Sequence, residues 1–336
     1  MAEESNFITL AHGNGGRFMR ELVRDVFARQ FANPDLDTSV DAAGLPPLEG
    51  ALVFTTDGFI VDPLEFPGGD IGSLAVHGTV NDLAVSGATP RWISLSLLIE
   101  EGFEIERLDR IAASLGRAAR ACGVAVVAGD TKVLPRGQGG GLYISASGIG
   151  QRATRATLGM AEIKPGDCLI VNGPLGDHGT AVLLARHQFG LKGELASDSA
   201  SVLPFTRTAL EIDGLRFMRD PTRGGIATVA NEISLVTGLQ VVLDEASLPV
   251  RDEVRAVCEM LGYDALYLAS EGRVVAVVDP ICAVAVLSAW RGLPGGQQSA
   301  IIGRVETGRP CVVLRTELGG KRLLNELEDD PLPRIC

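Results

Sequence analysis

Leu215-Arg216-Phe217-Met218-Arg219-Asp220-Pro221-Thr222-Arg223-Gly224-Gly225-Ile226 is the stretch on which the fold turns. A strand-like run over 215–218 enters a polar turn with one proline and two glycines, and the turn opens into a helical pattern over 226–236. Strand, Gly-rich turn and helix in that order mark an α/β layer. Free backbone N–H groups at a helix start, approached through glycines, bind anions well. Arg223 adds a planar fork suited to phosphate. The same residues also suit a plain turn, in which proline, cap and glycine pair only redirect the chain.

Working outward, apolar periodicity alternates between the two regular structures. Helical patterns start near Arg17 and cover 71–87 and 104–121. Strand patterns cover 51–55, 92–99, 124–128, 142–149 and 168–171. No repeat of 20–50 residues is visible. Such alternation predicts two α/β or α+β layers, not an all-β or bundle fold. The turn-rich segment 160–167, with Lys164-Pro165-Gly166-Asp167, marks the expected boundary. It separates an N-terminal unit over 1–155 from a C-terminal unit over 156–322, with a tail over 323–336. Residues 323–327 are expected to end a helix, and 281–290 has the length of a buried one.

At 336 residues, with 46% apolar and 21% charged residues, the chain has material for two cores and is not compositionally disordered. Forty-two acids against 30 bases give a net charge of −12, which opposes broad binding to a nucleic-acid backbone. It leaves room for a nucleotide in one lined pocket. Only four bases are lysines (Lys132, Lys164, Lys192 and Lys321), so a Lys inside a polar turn carries information. No apolar run reaches the ~18 residues of a membrane span, and the first residues lack a signal-peptide pattern, so a cytoplasmic protein is expected. Cys122, Cys168, Cys258, Cys282 and Cys311 sit in or beside apolar runs without metal-ligand spacing. Cys336 differs, ending a tail in which Pro331 and Pro333 favour extended backbone. Ten extended residues span roughly 33–36 Å, enough to cross a small domain.

Three aspartates share a local grammar: Asp57 in Thr55-Thr56-Asp57-Gly58, Asp82 in Asn81-Asp82-Leu83-Ala84, and Asp130 in Gly129-Asp130-Thr131-Lys132. Asp57 is expected to end a strand and Asp130 to follow one. Carboxylates held on rigid backbone beside glycine suit Mg²⁺, which takes one or two of them plus phosphate oxygens. Ala11-His12-Gly13-Asn14-Gly15-Gly16-Arg17 is a second Gly-rich lead into a helix. It matches neither the Rossmann nor the P-loop pattern.

Taken in this order, these segments and the ending Pro333-Arg334-Ile335-Cys336 resemble a superfamily of ATP-dependent enzymes. It includes aminoimidazole ribonucleotide synthetase, selenophosphate synthetase and thiamine monophosphate kinase. Within it the chain resembles the HypE family of hydrogenase maturation factors, which are carbamoyl dehydratases. The internal motifs carry the superfamily and the Pro-Arg-Ile-Cys ending carries the family. The N-terminal glycine segment lacks the reactive Cys or selenocysteine and the Lys of selenophosphate synthetases.

The resemblance implies an α+β fold of two domains, an N-terminal mixed-sheet domain that pairs in a homodimer and a C-terminal α/β sandwich, with a flexible tail. It implies ATP-dependent conversion of a carbamoyl group on Cys336 to a thiocyanate, the source of cyanide for NiFe hydrogenase iron. Asp57, Asp82 and Asp220 would be the Mg²⁺–ATP carboxylates, with Asp130 beside them. Gly15, Gly16, Thr131, Gly224 and Gly225 would line the phosphates, with Arg223. Lys132 would stabilise the transferring group or take a proton, and Glu271 would accept a proton or orient the amide. His12 is a weaker base, and His77, His178 and His187 are read as structural or surface residues. Expected partners are the carbamoyltransferase HypF and the HypC–HypD pair, with no nucleic acid and no membrane. Two other readings stay open: a superfamily enzyme acting on a free small molecule, and a non-catalytic nucleotide-binding docking protein.

Overall fold

The structure, a computed structural model, describes residues 6–152, 158–186 and 194–327. The N-terminal half begins with a helix α1 (Arg17–Leu22), continued by a π-helical stretch over Val23–Ala28. It goes on through β1 (Ala51–Phe59), α2 (Ile71–Val85), β2 (Thr89–Glu100), α3 (Ile105–Cys122), β3 (Ala125–Leu134) and β4 (Leu142–Arg152). The four strands form one sheet in the order β1-β4-β2-β3, parallel only between β2 and β3.

Helix α2 is apolar on nearly all sides, and a helix of that kind must be enclosed. Its start is fixed by Asp70, whose carboxylate accepts the Ser73 N–H at 2.8 Å, while the Ser73 hydroxyl accepts the Asp70 N–H at 3.1 Å. Its small residues permit close approach on two sides. A Cβ on Gly78 would lie 2.7 Å from the Phe59 ring, and one on Gly72 would lie 2.6 Å from the Ile111 carbonyl oxygen. One face of α2 therefore packs on the sheet and another on α3. The amphipathic α3 stops at Gly123, whose φ of 70° suits a glycine cap.

The C-terminal half contains β5 (Cys168–Val171), α4 (Asp177–Ala185), α5 (Leu203–Leu210), β6 (Leu215–Arg219), α6 (Gly225–Thr237) and β7 (Gln240–Asp244). It ends with α7 (Asp252–Leu261), β8 (Val275–Val278), α8 (Ala283–Arg291), β9 (Ala300–Glu306), β10 (Cys311–Arg315) and β11 (Lys321–Leu323). Seven strands form a mixed sheet in the order β11-β10-β7-β9-β5-β8-β6. Side chains alternate across it. Ile170, Ala276 and Val278 face the core that holds Trp290, while Leu169, Val171, Val275 and Val277 face the core that holds Ile226 and Ile233 of α6. Helices on both faces make this half an α/β sandwich.

Several boundaries differ from the sequence reading. Asp57 does not end its strand: β1 runs on to Phe59, opposite Ile144 of β4. Asp130 does not follow one either, because β3 stays paired with β2 as far as Leu134. In both cases backbone pairing carries a polar stretch beyond the apolar run. Residues 321–323 form an edge strand against β10 in place of the expected helix end. The 281–290 segment is buried on one side only, through Ala283, Val286 and Trp290, and Ile281 and Val284 are exposed.

Candidate active site

Helix α2 also touches α5 and β6 of the second half, and this contact brings Asp82 opposite Asp220. Between them lies a cleft of about 490 Å³, lined by Thr55 of β1, Asp82 of α2, and Arg219, Asp220 and Thr222 at the end of β6. Asp82 accepts a hydrogen bond from the Thr55 hydroxyl at 2.7 Å. Burial raises its pKa, the Thr55 hydroxyl opposes the rise, and Asp57 adds to it. Asp220, 7% exposed, is pushed up to about 7, first by burial and then by the charge on Asp82. Glu271, 3% exposed, is held well above the usual carboxylate range by burial and by Asp220, Asp198, Asp57 and Asp82. Asp57 is exposed and accepts the Gly58 N–H at 2.7 Å. Asp57, Asp82, Asp220 and Glu271 thus share one electrostatic environment.

Among the described residues, no three His, Cys, Asp or Glu side chains converge to hold an ion by themselves. The donor set is still all oxygen, and its mutual repulsion calls for positive charge. That suits a Mg²⁺ brought in with phosphate oxygens and water, which needs only one or two carboxylates.

Glu271 lies in a backbone segment outside the sheet, yet both its peptide groups are engaged. Its N–H donates to Asp198 Oδ1 at 3.1 Å, and its carbonyl accepts from Asn81 Nδ2 at 3.0 Å. Asn81, 1% exposed, also donates to the Ala200 carbonyl at 3.0 Å and accepts the Val202 N–H at 2.9 Å. Behind this lies a chain of ion pairs: Asp198 to Arg273 at 3.2 Å, Arg273 to Asp177 at 3.6 Å, and Arg251 to Asp177 at 2.9 Å. The sequence reading gave no role to Asn81, Asp177, Asp198 or Arg273. Asp198 lies in Ser197-Asp198-Ser199-Ala200-Ser201, which has no periodicity to read. Asn81 stood beside a quoted aspartate, and its placement one residue from Asp82 on a buried helix was the available signal.

Not every expected residue joins the cleft within one chain. Thr55 meets Asp82, so odd-numbered residues of β1 around it, Asp57 included, face α2. Asp130 lies in the same row as Ser96, Ser145 and Gly58, on the opposite, open face. Lys132 shares that face and pairs with Asp130 at 3.0 Å, both more than half exposed. Three strand spacings, roughly 14 Å, separate the row's two ends. Thr131 does not line an open site: it is buried and turned toward Phe27 and Leu97 beneath β3.

The glycines divide. Gly15, with φ 73°, and Gly16 have open space around them, and neighbouring Gly13 packs against Val133 near the end of β3. Gly224 has φ 73° and Gly225 φ 58° at the start of α6. A Cβ on Gly225 would lie 2.4 Å from the Leu266 carbonyl oxygen, so close backbone approach demands glycine there. Arg223 is exposed on the turn before them.

His12 Nδ1 accepts the Thr9 N–H at 3.0 Å, which ties the ring into its own turn. His77 bonds the Ser199 hydroxyl at 3.0 Å, and burial pushes its pKa down to about 4. His178 bonds the Ser197 hydroxyl at 2.8 Å and meets the Phe66 ring edge-on. The five described cysteines are free, and burial pushes Cys258 up to about 11, which makes it a poor nucleophile. His187, Pro331, Pro333, Arg334 and Cys336 lie outside the described residues. No helix among the described residues is long and apolar enough to cross a membrane.

Comparison with known proteins places this geometry in a family. Residues 39–151 match the N-terminal domain of AIR synthase related proteins, and residues 164–314 match the C-terminal domain of the same group. The chain is 44% identical to carbamoyl dehydratase HypE of Cupriavidus necator, over 99% of this chain and 96% of that protein. A crystal structure of the hydrogenase maturation protein HypE in complex with ATP superposes with a TM-score of 0.93 at 43% identity, covering 97% of this chain and 99% of the other. A structure of a HypE–HypF complex matches with a TM-score of 0.80 at 39% identity, over 91% of this chain and 99% of the matched chain. With that identity sustained across both domains, the chain belongs to the HypE family of carbamoyl dehydratases.

Proposed function

We propose that this chain uses ATP to dehydrate a carbamoyl group carried on Cys336, producing a thiocyanate for the cyanide ligands of NiFe hydrogenase. Loss of water from S–C(=O)–NH₂ is slow because hydroxide leaves poorly. Transfer of the γ-phosphoryl group to the amide oxygen makes phosphate the leaving group. Departure of phosphate with removal of both nitrogen protons gives S–C≡N, so the products are thiocyanate, ADP, phosphate and a proton. Phosphoryl transfer depends mainly on positioning and charge neutralisation. The observation that carries the reading is the meeting of Asp82 and Asp220 at one cleft beside the turn that opens α6, with the buried Glu271 coupled to both by charge.

Several carboxylates and a triphosphate cannot share a cleft without a counter-charge, so Asp57, Asp82 and Asp220 are the residues that would hold Mg²⁺. The ion supplies neutralisation of phosphate charge when bound. The exposed Arg223 on the turn before α6 is placed to meet phosphate oxygens, while the Gly225 N–H closes that turn on the Thr222 carbonyl at 3.0 Å. Gly15 and Gly16 offer uncrowded backbone for the same purpose. Burial and the neighbouring carboxylates push the Glu271 pKa well above the usual carboxylate range, which supports orienting the carbamoyl amide by a hydrogen bond over accepting a proton.

The open sheet face carries Leu52, 66% exposed, and Phe54, 60% exposed, beside Thr56, Ser145 and Lys132. Such an apolar sheet face suits pairing with a second copy, and Lys132 and Asp130 then lie at the homodimer interface. Lys132 stabilises the transferring group from there. HypF is the carbamoyl donor and the HypC–HypD pair the acceptor, in the cytoplasm. Lys132→Ala is expected to leave carbamoylation of Cys336 by HypF intact and to slow dehydration by about 10²-fold, the scale of losing one transition-state charge partner. Thiocyanate appearing at the wild-type rate in a quench assay would remove Lys132 from the reaction.

A further inference from the structure

The segment 194–202 has no helix or strand, yet it is pinned along its length. Ser197 N–H donates to the Pro67 carbonyl at 2.7 Å, the Ser197 and Ser199 hydroxyls meet His178 and His77, and Ala200 and Val202 are held by Asn81. Backbone outside a ladder must find such partners when buried. The strap's convergence point is Glu271. Asp198 accepts its N–H and Asn81 donates to its carbonyl. The adjoining Gly272 leaves no room for adjustment, since a Cβ there would lie 1.9 Å from the Asp198 carbonyl oxygen.

Asp198 is itself anchored. Its side chain is 1% exposed and its Oδ2 lies 3.2 Å from Arg273 Nε. That Nε–H is spent on the Pro174 carbonyl at 2.6 Å, so Oδ2 keeps an ionic contact without a hydrogen bond. Only Oδ1 of this carboxylate is committed by hydrogen bonding, and its partner is the peptide of Glu271.

We propose that Asp198 and Asn81 are positioning residues that grip the Glu271 peptide by its N–H and its carbonyl and so fix where its carboxyl sits relative to Asp82 and Asp220. This rests on the role given to Glu271 above. Asp198 acts through geometry: an oxygen at the Oδ1 position is what the Glu271 N–H requires, and a neutral amide can supply it. Asn81 does the same for the carbonyl from helix α2. The grip ties the N-terminal half, the 194–202 strap and the Glu271 segment into one frame, and a misaimed reacting group can cost about 10²-fold in rate.

The test is single-turnover dehydration of the carbamoylated full-length chain with Mg·ATP, alongside thermal melting and ATP affinity. Asp198→Asn keeps the acceptor and is expected to retain kcat within about threefold. Asp198→Ala removes it and is expected to lose about 10²-fold in kcat with the KM for ATP little changed. Wild-type kcat in a folded Asp198→Ala, an Asp198→Asn as slow as the alanine variant, or a loss confined to KM would overturn the proposal. If Asp198→Ala does not fold, Asn81→Asp carries the test, since it keeps an acceptor for Val202 and loses the donors to Glu271 and Ala200. The same kcat-only loss supports the grip, and unchanged kcat overturns it. Unchanged kcat in Glu271→Ala would instead remove the role of Glu271 itself, a separate failure.

Discussion

Cys336→Ala is expected to yield no thiocyanate at all, while the affinity for Mg·ATP stays within about twofold of wild type. The chemistry makes the effect total, because the sulfur is one of the atoms of the product and no neighbouring group can replace it. The cleft assigned to the nucleotide is built from β1, α2 and β6, with Glu271 coupled to it by charge. The two functions should therefore separate cleanly. Isothermal titration with ATP and a thiocyanate assay on the same preparation check this. Thiocyanate formed without the thiol would point to a free small-molecule substrate, and joint loss of ATP binding would make the tail part of the cleft.

The second large effect is a trade between activity and stability at Asp220. Its carboxyl titrates near 7 in the folded chain, against about 3.9 for a free Asp. Between those values the folded state holds a proton that the unfolded state has released. Stability from this group is complete below about pH 4 and is lost as the pH rises through about 7. Roughly 4 kcal/mol is at stake by that difference. Asp220→Asn should consequently melt higher than wild type at pH 8 and nearly level with it at pH 4, while dehydration falls by about 10²–10³-fold. Added Mg·ATP should raise the melting point of the wild type and do much less for the variant. A variant that melts lower at pH 8, or that keeps full activity, would contradict the assignment.

The C-terminal turn was legible because strand, Asp-Pro-Thr-Arg-Gly-Gly and helix follow one another within a few residues, and the structure places β6, the turn and α6 there. The strand over Cys168–Val171 was legible for a related reason, being a short apolar run between a turn and a loop. The extent of β1 and β3 was not, since Asp57, Asp130 and Lys132 stay in strand through pairing with partners distant in sequence. The same register decides that Asp57 faces α2 while Asp130 and Lys132 face the open side. No local pattern of glycines and aspartates carries that distinction. Asp198 was illegible for a different reason: its importance comes wholly from where 194–202 is pinned, and a strap without a period leaves no trace in hydropathy.

Intact-mass spectrometry of the full chain during incubation with HypF, its carbamoyl source and Mg·ATP observes the chemistry on the protein itself. A single carbamoyl adduct should form and then lose one water as ADP accumulates, with both species mapping to Cys336 in fragment spectra. A chain that turns over ATP and delivers cyanide while Cys336 stays unmodified at every time point would contradict the mechanism.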